Sequence, residues 1–249
     1  MSDLPFVLVP PSEAKVPGGD LELGVGVFDT WLDESRHDVV QALVAALDSG
    51  TPKEMEKLFH VRGPLLARAL DATHSIVAGR APLMPAAQRY SGVVWSHLDP
   101  MTLAPDQRTR LLIPSGLYGV TSGEDPIADY RLKMNVALGS LGVLTTFWRP
   151  SITRALAAHI GSSVVVNLLP QEHGRALDLE RLERHAHVVT VTFVQRDGSG
   201  VSGHAAKGVK GIVARRVLLD GVDTLTSFRW QGWRASRRGG DVRIVAPRA

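Results

Sequence analysis

The sequence predicts an α+β (mixed α/β) fold: one compact domain, residues 1–249, with a central mixed sheet and flanking helices. Three observations carry this. Short apolar runs of strand length recur at Phe6 to Val9, Leu111 to Ile113, the strongly β-branched Val164 to Leu169, and Val188 to Val194. Between them lie segments with apolar residues at helical spacing, such as Val39, Val40, Leu43, Val44 and Leu47. A chain of 249 residues, 44% hydrophobic and 21% charged, is also long and apolar enough to bury a proper core.

Composition narrows the function. No apolar run approaches the roughly 18 residues that a membrane span needs. The N-terminus has no basic region ahead of an apolar one, so it does not read as a signal peptide. The absence of cysteine excludes disulfides, iron–sulfur clusters and thiolate chemistry, and fits a cytoplasmic protein. Net charge is only +3, yet Arg234, Arg237, Arg238, Arg243 and Arg248 crowd the C-terminus around Asp241. That rim suits phosphates or simply a solvated tail.

In chain order, Phe6 to Val9 is a buried strand ended by Pro10-Pro11. Ser12, Glu13 and Lys15 follow at once. Open α/β sheets bind ligands beyond the carboxyl ends of their strands, so Ser12 and Lys15 are candidate ligand residues; a capped turn with a solvated lysine would leave the same pattern. Glu34-Ser35 opens an amphipathic helix that Asp48-Ser49-Gly50 stops. Thr51 as N-cap and Pro52 in the first turn open the next, through Met55 and Leu58-Phe59. His60-Val61-Arg62-Gly63-Pro64 then turns into a helix from Leu65 through Leu70. This subregion, residues 51–80, resembles a helix-hairpin-helix element, whose backbone N–H groups hold a DNA phosphate without reading bases. Arg62, Gly63 and Arg68 are the candidate DNA contacts; a hairpin used only for packing reads alike.

Ala81 to Pro85 reads as a proline-bounded linker and Arg89 to Trp95 as a turn or short strand. After the strand Leu111 to Ile113, Ser115-Gly116-Leu117-Tyr118-Gly119 suits a tight bend that exposes polar side chains. Asp129-Tyr130-Arg131-Leu132-Lys133-Met134 then brings a carboxylate, a phenol and a guanidinium together. Such groups pair with one another or meet a ligand. Phe147-Trp148 precedes a helix from Ser151 to Ile160, and Trp148 is expected to anchor the core. Asn167 interrupts an apolar strand and must find partners if buried. Glu172 and His173 follow just past that strand's end. Val188 to Val194 alternates apolar residues with Thr190 and Thr192, and Asp197-Gly198 turns after it.

The second polar cluster is Ser202 to Gly211. Lys207 and Lys210, three residues apart, share one side of a helical turn. Gly208 and Gly211 each weaken a helix by about 1 kcal/mol relative to alanine. Close approach of the backbone to a ligand or to another element would justify that. Ile212, Val213 and Val217 carry the helix into the core.

Several of these stretches together resemble the YaaA peroxide-stress protein family, nearly end to end. Pro11-Ser12-Glu13-Ala14-Lys15 resembles its N-terminal Ser-x-x-Lys segment. Ser115 to Gly119 and Tyr130 to Met134 resemble its centre, and Phe147-Trp148 follows in order. Val166-Asn167-Leu168 with Glu172, then His204, Lys207, Lys210-Gly211 and Arg215, and finally Gly232-Trp233 complete the match. Trp95 and His173 stand where the commoner pattern has tyrosines, and Ala206 replaces a more polar residue. The resemblance implies a role in peroxide resistance and in limiting iron damage. It also implies a fold with a basic cleft and a helix-hairpin-helix, and DNA binding.

The residues themselves support an alternative, an enzyme acting on a small anionic, nucleotide- or nucleoside-like substrate. Ser12, Lys15, Ser115, Arg131, Asn167, Lys207 and Lys210 would bind it. Tyr118, Glu172 and His204 would handle protons. The expected partners are therefore double-stranded DNA or a small anionic ligand, with the protein a monomer. No cofactor is implied. No metal site is read either: no His-x₃-His pair lies beside a third ligand, and His185 with His187 reads as an exposed turn.

Overall fold

A computed structural model describes residues 4–21, 24–201, 203–238 and 241–247. Ser202 and Arg248 lie outside the described residues, as do the side chains of Arg237, Arg238 and Asp241. The chain runs β1 (Phe6–Leu8), α1 (Asp29–Ser49), α2 (Pro52–Phe59), α3 (Pro64–Val77), β2 (Leu83–Pro85), α4 (Ala86–Arg89) and α5 (Val93–Leu98). It continues with α6 (Pro105–Arg108), β3 (Leu111–Ser115), β4 (Gly119–Ser122), β5 (Pro126–Ala128), α7 (Leu144–Ile160) and β6 (Val164–Asn167). Then come α8 (Gln171–Gly174), α9 (Leu179–Glu183), β7 (His187–Val194), α10 (His204–Asp220) and α11 (Thr224–Ser227). The strands β8 (Arg229–Trp230), β9 (Trp233–Arg238) and β10 (Asp241–Val245) close the order.

The architecture is α+β, as the alternation of short strands and amphipathic helices predicts. Among the described residues, eight strands form one mixed sheet in the order β4-β3-β1-β6-β7-β10-β9-β8. Its middle is parallel: β1 pairs with β3 (Val7 opposite Leu111) and β6 (Val7 opposite Val166), β6 with β7, and β7 with β10. The edges β4, β9 and β8 run antiparallel to their neighbours. Residues of parallel strands buried on both faces should be apolar throughout, and Val7, Leu8, Leu111, Leu112, Val165 and Val166 are fully buried. The chain leaves β1 for β3 on one side and returns to β6 on the other. Strand order therefore reverses at β1, and such a reversal opens a crevice outside the carboxyl ends of the strands.

Pro114 lies inside β3 without harm. The Leu112 carbonyl accepts from Val9 N, so by the two-residue period Pro114 also faces β1, beyond the point where β1 ends. Thr51 and Glu54 form a reciprocal capping box on α2, and the turn His60 to Gly63 leads into α3, which extends to Val77. Arg89 is wholly buried, and its guanidinium donates to the carbonyls of Ile127, Val16 and Pro82. It ties β5, the segment after Lys15 and the approach to β2 together.

Several segments differ from the sequence reading, beginning with α1, which starts at Asp29 rather than at Glu34-Ser35, with Leu32 of the added turn buried in the core. Leu83–Pro85, expected in a linker, is a strand paired antiparallel with β5, and burial of Leu83 and Met84 draws it in. The segment 89–95, expected as a turn or strand, ends one short helix and begins another across Gly92, where φ is 104°. Packing of α5 on α10 overrides the β preference of Val93-Val94. Finally, α7 begins at Leu144 rather than Ser151, so Phe147-Trp148 lie within it. Pro150 forfeits one helical hydrogen bond, but Leu144, Trp148, Ile152 and Leu156 recur on one buried face and carry the helix through.

Candidate functional site

A cavity of about 660 Å³ opens where the strand order reverses, a size suited to a small ligand. The chain just past the carboxyl ends supplies its walls: Pro10 to Lys15 after β1, Gly116 after β3, and Pro170, Glu172 and His173 after β6. Phe193 near the end of β7, α5, the 130–134 segment and the first turns of α10 complete them.

Lys15 is only 9% exposed. Its Nζ donates to the Ser12 carbonyl at 2.9 Å and lies 4.1 Å from the centroid of the Tyr130 ring and 5.3 Å from that of Tyr90. Desolvation pushes its pKa down to about 7, against the favourable charges of Asp129 and Glu13. Beside it runs a buried hydroxyl chain. Ser115 Oγ donates to Tyr130 OH at 2.8 Å, and Tyr130 OH is 2.7 Å from Tyr90 OH. Burial pushes the Tyr130 phenol up to about 12 and the Tyr90 phenol well above its usual value. Tyr90 stacks on Trp95 at 5.1 Å.

The next wall is an ion cluster. Glu13 bridges Arg131 Nη2 and Lys133 Nζ, each at 2.7 Å. The hydrogen bond from Lys133 is the largest influence lowering the Glu13 pKa. From Asp129 to Met134 the side chains alternate half-buried and buried, so Asp129, Arg131 and Lys133 share one side. Gly116 permits this segment to pass: a Cβ there would lie 2.5 Å from the Leu132 carbonyl oxygen. Trp148 Nε1 donates to the Gly116 carbonyl from the core, fixing the bend.

Opposite, α10 presents His204, Lys207 and Lys210. Lys210 Nζ lies 5.4 Å from the centroid of the Phe193 ring, and burial lowers its pKa to about 8, helped by Lys207. The two glycines of this helix serve its packing. A Cβ on Gly211 would lie 2.2 Å from the Val94 carbonyl oxygen, and one on Gly208 would lie 3.0 Å from His97 Nε2. Close approach of α10 to α5 is thus what their absent side chains permit, and it sets the lysines over the cavity. His173 is pushed below the usual histidine range by desolvation, and its Nδ1 has no hydrogen-bond partner among the described residues. Trp95 Nε1 is likewise buried without a partner.

The structure thus brings Ser12, Lys15, Arg131, Glu172, His204, Lys207 and Lys210 to one cavity. Ser115, Tyr118 and Asn167 stand behind its wall. Ser115 Oγ, besides donating to Tyr130, accepts from the Leu117 and Tyr118 amides. Tyr118 OH accepts from Ala128 N at 2.9 Å. Asn167 Oδ1 accepts from Leu169 N at 3.1 Å while its Nδ2 donates to Thr190 Oγ1 at 3.4 Å, which steadies the loop carrying Glu172 and His173. Arg62, Gly63 and Arg68 lie on the α2–α3 hairpin, away from the cavity wall. Arg62 is 85% exposed beside Glu56 at 3.2 Å. Arg68 pairs with Asp129 at 2.6 Å and donates to the Lys15 carbonyl at 3.1 Å, so it ties the hairpin to the cavity floor. Tyr90, Lys133 and the bridging Glu13 were not among the candidate site residues of the sequence, and the Tyr130 phenol was expected only to pair with its neighbours or meet a ligand. The alternation in Asp129 to Met134 was the available signal for Lys133.

A family model described as "Peroxide stress protein YaaA" matches residues 6–238. A UPF0246 protein of Corynebacterium efficiens is 32% identical over 220 residues, covering 84% of this chain and 83% of its own length. One of Streptomyces coelicolor is 29% identical over 222 residues, covering 87% and 84%. One of Cereibacter sphaeroides is 30% identical over 210 residues, covering 79% and 81%.

Proposed function

The chain belongs to the YaaA family of peroxide stress proteins, and from that premise we propose that its cavity binds a small anionic molecule of nucleotide or nucleoside type, in a peroxide-stress role. One observation carries this reading. The rings of Trp95, Tyr130 and Phe193 and the cations Arg131, Lys133, Lys207 and Lys210 line a single cavity beyond the ends of parallel strands. A flat heterocycle has rings to lie against, and a phosphate or carboxylate has charged donors to meet. Ser12 and Lys15 add polar groups on the first wall. Glu172 and His204, both on the cavity wall, would exchange protons with a bound molecule. Tyr118, Ser115 and Asn167 hold the wall in shape.

Adenosine monophosphate tests it. At about a hundredfold above its Kd the nucleotide stabilises the fold by roughly 2.7 kcal/mol, read as a thermal shift of several degrees. Lys207→Ala, an exposed change, diminishes the shift, and Arg131→Ala abolishes it. Absence of any shift with adenosine, its monophosphate and its diphosphate would sink the proposal.

A second reading rests on the hairpin. Gly63 opens α3 at φ 53° with open space where a Cβ would stand, and Arg62 projects into solvent beside it. Those backbone amides and that guanidinium suit a duplex phosphate. Random-sequence duplex DNA should then bind with an affinity that falls with salt, and Arg62→Ala should reduce the log–log slope by about one. An unchanged slope removes the DNA contact.

A further inference from the structure

We propose that Lys15 is a nucleophile that forms a reversible imine with an anionic ligand carrying an aldehyde or ketone; this rests on the reading of the cavity as a small-molecule site. Four observations support it. Lys15 lies on the cavity wall at the carboxyl end of β1, where the reversal of strand order places ligands. Its ammonium has no ion-pair partner among the described residues, because Asp129 is held by Arg68 and Glu13 by Arg131 and Lys133. Its Nζ donates to the Ser12 carbonyl and lies over the face of Tyr130, so the side chain is oriented without a counter-ion among the described residues. Burial leaves a large share of the amine uncharged near neutral pH, and only the free amine has the lone pair that attacks a carbonyl.

A lysine kept solely to attract anions does better exposed to water, as Lys207 is. A lysine desolvated next to other cations is arranged for nucleophilic work. The step needs no outside reagent. The Nζ lone pair attacks the carbonyl carbon, the π pair moves onto oxygen, and both N–H hydrogens leave with that oxygen as water. One C=N bond replaces one C=O bond. Arg131, Lys133 and Lys207, on the surrounding walls, meet the anionic end of the ligand.

Pyridoxal 5′-phosphate is a suitable probe, since it joins an aldehyde, a flat ring and a phosphate. The full chain is treated with a limiting amount near neutral pH, reduced with sodium borohydride, digested and mapped by mass. Lys15 should carry about fivefold more label than Lys210 and at least about tenfold more than the exposed Lys207, and adenosine monophosphate should protect it. Label spread over the exposed lysines, with Lys15 unmodified, overturns the proposal. The two readings fail separately. Stabilisation by the nucleotide without label at Lys15 removes the imine and keeps the nucleotide site. Label at Lys15 with neither stabilisation nor protection by the nucleotide does the reverse.

Discussion

Lys15 is 9% exposed and its Nζ rests over the ring of Tyr130, so protonating it charges a site largely shut off from water. Stability should record this. The native pKa, about 7, lies below the ordinary 10.5. Between those values the unfolded chain binds a proton that the native protein does not, so stability rises with pH, by up to about 1.4 kcal/mol per unit. Lys210, lowered to about 8, adds the same sign. Above pH 10 the buried phenols of Tyr90 and Tyr130 keep protons that the unfolded chain loses, and stability falls again. Urea unfolding from pH 7 to 11 should therefore show a rise and then a fall, and Lys15→Met should flatten the rise. An unchanged slope in that variant would mean that Lys15 is charged and well solvated in the native state.

At the scale of elements, the crossing of α10 over α5 decides where Lys207 and Lys210 stand. Gly211→Ala drives a methyl into the Val94 carbonyl, which belongs to backbone and cannot swing aside. It should cost about 1–3 kcal/mol in chemical denaturation and shift the lysines enough to weaken ligand binding. Gly208→Ala meets only the His97 ring, so its cost should be smaller. Equal, negligible effects would show that the helices do not approach so closely. This crossing also marks the limit of what the chain's pattern discloses. Gly208 and Gly211 in the sequence call for a close neighbour but do not say which one. Val93-Val94 reads as extended until α10 lies against it. The strands Phe6–Leu8, Leu111–Ser115 and Val164–Asn167 were legible because burial on both faces demands unbroken apolar runs.

For the whole molecule, the reversal of strand order at β1 gathers segments far apart in sequence around one cavity. Lys15, Arg131 and Lys207 meet there because each lies just beyond a strand end or at a helix start that faces those ends. That much follows from polar residues placed directly after apolar strands. The roles of Ser115, Tyr118 and Asn167 do not follow, because a polar residue at a strand end faces a ligand or braces a loop according to contacts that local pattern does not encode. Their hydrogen bonds to Tyr130, Ala128 and Leu169 show bracing. The pairing of Glu13 with Arg131, 118 residues away, was equally beyond local pattern.

The most direct test of the cavity's role is a crystal structure of the full chain grown with adenosine monophosphate. Density is expected inside the cavity, with the phosphate toward Arg131, Lys133 and Lys207 and the base against Trp95, Tyr130 or Phe193. A cavity left empty at saturating nucleotide, or nucleotide seated elsewhere on the surface, would contradict it.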